Sequence, residues 1–228
     1  KASANPMARM FGGGIELKMN EPIYFTTYNR TSKENGLAMK EIKKKGIKKI
    51  VEGPYTFGNF MYSKGGKGKK PVFVYARGNF EEGNNLFASY DNFKTQKQMS
   101  DINPQQRDYN WGTVELVNWQ TADDIFCEGL LFKPEDFDPN KKYPVMIYFY
   151  EKNANTLYRH RNPTPSRSTV NIPYFVSNGY VVFVPDVYFT DGHPGQSAMK
   201  SIMPGVEMLE KTYPWIDCEN MAIQGQSW

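Results

Sequence analysis

Two unbroken apolar runs constrain this chain more than any other feature: Tyr143-Pro144-Val145-Met146-Ile147-Tyr148-Phe149-Tyr150 and Tyr180-Val181-Val182-Phe183-Val184-Pro185-Asp186. A strand with one wet face alternates apolar and polar residues. A strand that is apolar at every position has to be covered on both faces, as in a parallel sheet flanked by helices. The intervening sequence fits. Phe175-Val176-Ser177-Asn178-Gly179 reads as a helix end closed by glycine. Between Ser197 and Lys211, Met199, Ile202, Met203, Val206 and Leu209 recur at helical spacing. Upstream, Val114–Trp119 and Ile125–Phe132 pair about the turn Thr121–Asp124, and a polar, proline-bearing loop follows over 133–142. Met221–Gln224 is a last short strand. The order β-β-β-α-β-α-β is the opening half of an open α/β sheet. Ligands of such sheets bind beyond the carboxyl ends of the strands, where Tyr150, Asp186 and Ser227 fall.

Residues 1 to about 115 have a different texture. Pro22–Tyr28, Gly36–Ile42, Ile47–Val51, Asn59–Tyr62, Pro71–Ala76 and Leu86–Tyr90 are short runs rich in β-branched and aromatic residues, each closed by Gly, Asn or Asp. Lys43-Lys44-Lys45-Gly46 joins two of them, and the glycine favours a hairpin over a helix there. Strands at this spacing suggest a sandwich or propeller blades, about two blades at ~40–50 residues each. Two blades do not close a propeller. Glu81-Glu82 reads as a turn within this region, and the polar stretch around Asn103-Pro104-Gln105-Gln106 as a connector.

Hydrophobic residues make up 39% of the 228 residues and aromatics 15%, enough for real cores and against disorder. The net charge of +4 comes largely from lysines at 40–49 and 64–70. Glu34, Glu41 and Glu52 interrupt these clusters and no nucleic-acid module accompanies them, so they read as solvated turns and edge-strand lysines. Cys127 and Cys218 have no metal spacing and read as small buried hydrophobes. No apolar stretch approaches the ~20 residues that cross a membrane, and no signal peptide opens the chain. The start, Lys1-Ala2-Ser3-Ala4, reads as the middle of something longer.

The final stretch, Met221 to Trp228, runs from apolar residues into Gly225-Gln226-Ser227-Trp228. In α/β-hydrolases the nucleophile stands on a sharp strand-to-helix turn written G-x-S-x-G, with small residues where neighbouring backbone passes close by. Four of those five positions are filled, and the fifth falls after Trp228.

Over about 115–228 the sequence resembles the prolyl oligopeptidase (S9) family of serine peptidases, in particular its dipeptidyl-peptidase-like bacterial members. The features that carry the resemblance occur in order: the paired opening strands, Gly129-Leu130-Leu131-Phe132-Lys133-Pro134, Lys142-Tyr143-Pro144-Val145 into a strand ending in tyrosine, Ser177-Asn178-Gly179-Tyr180-Val181-Val182, and Gly225-Gln226-Ser227-Trp228. The architecture this implies is a β-propeller-type all-β segment over 1–112, its C-terminal blades, then the N-terminal half of an α/β-hydrolase domain over 113–228, incomplete and ending at the nucleophile elbow. Ser227 matches the family nucleophile and Tyr150 the tyrosine whose hydroxyl donates to the oxyanion. The backbone N–H of Trp228 is the expected second donor. No cofactor or metal is implied. The expected partner is a peptide substrate, with no nucleic acid and no membrane span. The resemblance further implies a periplasmic or secreted protein and allows a homodimer of the parent.

The departures are specific. Glu151-Lys152 stands where relatives often carry Gly-Gly or Gly-Pro, and Val187–Gly195 replaces an Arg-Gly-rich stretch. Hydrolase triads run Ser, then Asp or Glu, then His, so acid and base are expected after residue 228. His160 and His193 both precede Ser227; His160 is expected at the surface and His193 in a structural or exposed loop. The chain alone is therefore expected to be inactive. Two rivals are an esterase using the same elbow and a non-catalytic propeller-based binding protein.

Overall fold

A computed structural model describes residues 20–63 and 70–227. Part of the lysine-bearing loop at 64–70 and Trp228 thus lie outside the described residues. The chain is rich in strands, arranged in three open sheets, none closed on itself among the described residues.

β1 (Pro22–Tyr28), β2 (Asn35–Glu41) and β3 (Lys48–Gly53) form an antiparallel sheet in that order. β4 (Thr56–Ser63), β5 (Val72–Gly78), β6 (Asn85–Ser89) and the two-residue β7 (Lys97–Gln98) form an antiparallel meander. The two sheets share one core. Leu37 of β2 is buried with Phe73 and Tyr75 of β5, Phe87 of β6 and Phe93 of the following loop. Phe73 and Tyr75 are two residues apart, so the pleat sends both rings to one face. Their centroids each lie 4.9 Å from Phe93, within the range of favourable ring–ring packing.

The β2–β3 lysines are solvated, as expected: Lys44 pairs with Glu41 and Lys49 with Glu52, each at 2.7 Å, along the edge of the sheet. Glu81 and Glu82 lie in a turn whose amides both donate to the Asn79 carboxamide oxygen.

A 3₁₀ turn at Pro104–Asp108 leads to the second half: β8 (Thr113–Gln120), β9 (Phe126–Lys133), β10 (Tyr143–Phe149), α1 (Ile172–Ser177), β11 (Val181–Pro185), α2 (Pro194–Thr212) and β12 (Ile216–Gly225). The five strands make one sheet in the order β12-β10-β11-β9-β8. β12, β10 and β11 run parallel, whereas β9 is antiparallel to both β11 and β8.

Successive residues of the apolar runs go to opposite faces. Val145, Ile147, Val181 and Phe183 pack with Ile202 and Leu209 of α2. Tyr148, Val182 and Val184 pack with Ile172 and Val176 of α1. β11 lies between two strands and beneath two helices, and all five of its residues are buried. Full coverage is why it carries no polar position.

α2 contains Pro204, which removes one helical N–H, and next to it Gly205 presses against Trp119 of β8. A Cβ at Gly205 would stand 2.9 Å from Cε2 and Cζ2 of that ring, which is itself fixed by an indole N–H bond of 2.9 Å to the Ser201 carbonyl. Gly205→Ala is therefore expected to cost about 1–3 kcal/mol through overpacking, read as a lowered Tm. A Tm equal to wild type would show that the helix shifts freely at this contact.

Three expectations are corrected. β12 begins at Ile216 rather than Met221, because Ile216 and Asp217 already pair with Tyr143 and Pro144, after which the register jumps to Met221 opposite Val145. Cys218 lies exposed on that strand, while Cys127 is buried, and both are free thiols. His160 is half-buried rather than superficial: its ring stacks on Trp111 at 5.3 Å with 1° between planes, and Nδ1 lies 3.2 Å from the Asn79 carbonyl oxygen.

Candidate active site

The parallel strands end at one edge of the sheet, and the three residues singled out there follow directly. β10 is the middle strand of the parallel three, so Tyr150 emerges between Ser227, beyond β12, and Asp186, beyond β11. The register is explicit: Phe149 pairs with Gly225, and the Gln226 N–H donates to the Phe149 carbonyl at 3.2 Å. Tyr150 thus leaves the sheet beside Gln226 and one step from Ser227.

The Phe149 ring lies close over Gly225. A Cβ there would sit 2.9 Å from the tip of the Phe149 ring.

Ser227 has φ +60°, a left-handed backbone conformation that costs a non-glycine residue energy and persists only where its surroundings impose it. Such outliers concentrate at functional sites. The side chain is exposed, and Tyr150 is 40% exposed, so both can be reached from solvent. Trp228, the expected amide donor, lies outside the described residues.

Behind this edge sits Asp186, 3% exposed. Its Oδ1 accepts the N–H groups of Asn153 at 2.5 Å and Ala154 at 2.9 Å, in the loop that follows Tyr150. Burial raises the pKa of this carboxyl, and the two amide bonds act against that rise. Tyr188 packs close by; burial first, then the charges of Asp186 and Glu128, push its phenol up to about 12. The Lys152 ammonium lies 4.2 Å above the Tyr188 ring.

The replacement stretch 187–195 is held by the helix below it. Ser201 Oγ accepts from Tyr188 N–H at 3.1 Å and Ser197 Oγ from Thr190 N–H at 2.9 Å. His193 is exposed at the start of α2, where its carbonyl accepts from Ser197.

No protein-family model matches the sequence. Dipeptidyl peptidase 8 of Mus musculus and of Homo sapiens is 26% identical over 125 residues, 50% of this chain. The chain spans only 14% of the length of these curated relatives. Among solved structures, Pyrococcus horikoshii acylaminoacyl peptidase superposes with a TM-score of 0.60 at 15% identity, over 90% of this chain and 31% of that one. Porphyromonas gingivalis dipeptidyl peptidase 4 superposes with a TM-score of 0.54 at 14% identity, over 90% of this chain and 30% of that one. The fold is shared with these solved peptidase structures, and half of the sequence is similar to dipeptidyl peptidase 8.

The chain also contains a feature that its sequence did not announce. Lys33, in the β1–β2 turn, reaches Glu128 of β9 with Nζ 2.6 Å from Oε2, both side chains largely withdrawn from water at 6% and 19% exposure. The Glu128 carbonyl in turn accepts the Asp186 N–H at 2.9 Å. The first half is thereby tied to the same edge that carries Tyr150. Ninety-five residues separate lysine and glutamate, and no local pattern joins them.

Among the described residues no helix is long and apolar enough to cross a membrane, and no cluster of three or more His, Cys, Asp or Glu could hold a metal ion.

Proposed function

We propose that this chain carries the nucleophile and oxyanion side of a serine peptidase active site of the S9 type, dipeptidyl-peptidase-like in its parent protein. In this reading 1–112 are the last blades of a β-propeller and 113–228 the first half of an α/β-hydrolase domain. Ser227 attacks the scissile carbonyl and forms the acyl-enzyme. The Tyr150 hydroxyl and the Trp228 N–H donate to the oxyanion that develops.

The observation that supports this best is the left-handed Ser227 at the end of β12, set beside Tyr150 by the Phe149–Gly225 register. A serine hydroxyl needs a base to take its proton. His160 stacks on Trp111, and both His160 and His193 precede the serine in sequence, so neither is assigned that task. By hydrolase chain order, histidine and acid would follow the serine.

The test is fluorophosphonate labelling of the full-length protein, followed by intact mass and peptide mapping. One adduct on Ser227, absent after Ser227→Ala, is expected. No adduct on a folded full-length protein would remove the peptidase reading in favour of a binding role. A labelled protein that cleaves esters but no dipeptidyl amide would point to an esterase.

Tyr150→Phe deletes one oxyanion donor and is expected to lower kcat by roughly 10²–10³ while KM changes little. Equal kcat in the two proteins would strip Tyr150 of this role.

A further inference from the structure

We infer that Asp186 is a positioning residue for Tyr150, setting the loop that aims its hydroxyl; the inference rests on the peptidase reading above. Tyr150 is bracketed by two backbone bonds. The Phe149 carbonyl before it accepts from Gln226 N–H at 3.2 Å, and the Glu151 carbonyl after it accepts from Val187 N–H at 2.8 Å. The next anchor is Asp186, whose Oδ1 takes the N–H groups of Asn153 and Ala154 together. Beyond it, Ala154 and Leu157 are buried, and Thr156 donates both its N–H, at 2.8 Å, and its hydroxyl, at 2.7 Å, to the Asn153 carbonyl.

The segment 151–154 is thus fastened to the end of β11 at both its ends. Glu151-Lys152, between the fastened points, are exposed and carry no glycine. At 3% exposure Asp186 does not reach a substrate, so any effect it has on chemistry passes through the loop.

Loss of the carboxylate leaves two inward-facing N–H groups without an acceptor, and the loop must move to find others. A displacement of about 1 Å in a catalytic donor can cost on the order of 10²-fold in rate.

The experiment measures the second-order rate of fluorophosphonate labelling at Ser227 in the full-length protein, because phosphonylation also places charge on an oxygen in the oxyanion site. Asp186→Ala is expected to slow labelling by roughly 10–10²-fold. Asp186→Asn keeps an oxygen acceptor at the same place and is expected to stay within about threefold of wild type. In a Tyr150→Phe background, Asp186→Ala is expected to add less than about threefold, since the donor it positions is gone.

Equal losses from Asp186→Ala in both backgrounds would overturn the inference, as would an unchanged rate in Asp186→Ala or no rescue by Asn. If the alanine variant does not fold, Asp186→Ser serves in the same cycle, because its oxygen stands one bond nearer the backbone and does not reach the position of Oδ1. A wild-type protein that takes no label at Ser227 defeats the peptidase reading itself. A labelled wild type with an indifferent Asp186 defeats only this inference.

Discussion

Ser227→Ala in the full-length protein is expected to lower kcat for peptide-bond hydrolysis by a factor on the order of 10⁶, with binding largely retained. The factor is large because the serine supplies the covalent route. Without it, only oxyanion stabilisation and substrate binding remain, and these give roughly 10³–10⁴ over the uncatalysed reaction. The substitution is mild structurally, since the side chain is exposed and alanine removes one oxygen. Alanine keeps the cost of a left-handed φ of +60°, so the turn itself is not relaxed by the change. A fall in kcat of less than tenfold, with the variant's Tm equal to wild type, would place the nucleophile elsewhere and take the proposed role from this strand end.

Lys33→Met is expected to destabilise the full-length protein by about 3 kcal/mol, at the low end for breaking a buried ion pair because Glu128 keeps some contact with water. At roughly 2–4 °C per kcal/mol for a domain of this size, Tm should fall by about 10 °C. The loss comes from Glu128, left charged and poorly solvated, more than from the missing attraction. The Arg30 carbonyl, which accepts a second bond from Lys33 Nζ at 2.7 Å, is orphaned as well. Glu128→Gln in the same protein should recover a large part of the loss by removing the stranded charge. A Tm within about 1 °C of wild type for Lys33→Met alone would show that the two halves do not depend on this pair. Lys33 also has a positive φ, of 62°, so the turn holds a strained residue in order to aim its ammonium at β9.

Much of the second half could be read in the sequence because its burial is extreme. β10 and β11 are apolar at nearly every position, and few other arrangements hide both faces of a strand. α2 was legible from the spacing of Ile202, Val206 and Leu209, although Pro204 lies in its interior. What escaped was set by contacts between distant residues. The antiparallel placement of β9 against β11 depends on which neighbours meet in space, and an apolar run carries no direction. β7 has two exposed residues and pairs through its backbone alone, so side-chain pattern could not mark it. His160, flanked by Arg159 and Arg161, looks like a surface residue until Trp111 arrives from another part of the chain. At the site itself, the strand ends and the family resemblance pointed to Tyr150 and Ser227. Asp186 was visible as the polar residue ending an apolar strand, but its grip on Asn153 and Ala154 needed the loop in place.

The unequal settings of the two cysteines give this chain a ready attachment point for a spectroscopic reporter. Cys127 is shielded inside the sheet, and burial pushes its thiol up to about 11, which keeps it from reacting with alkylating dyes. Cys218 is open to solvent on β12, the strand that leads to Ser227. Its thiol pKa is raised too, by its surroundings and by Glu210, so a maleimide should attach most readily on the alkaline side of neutrality. At ~3.3 Å per residue, the register of β12 along Pro144–Phe149 of β10 puts the dye about 20 Å from the serine. That is far enough to leave the strand end unobstructed and close enough for energy transfer to a fluorescent inhibitor seated there.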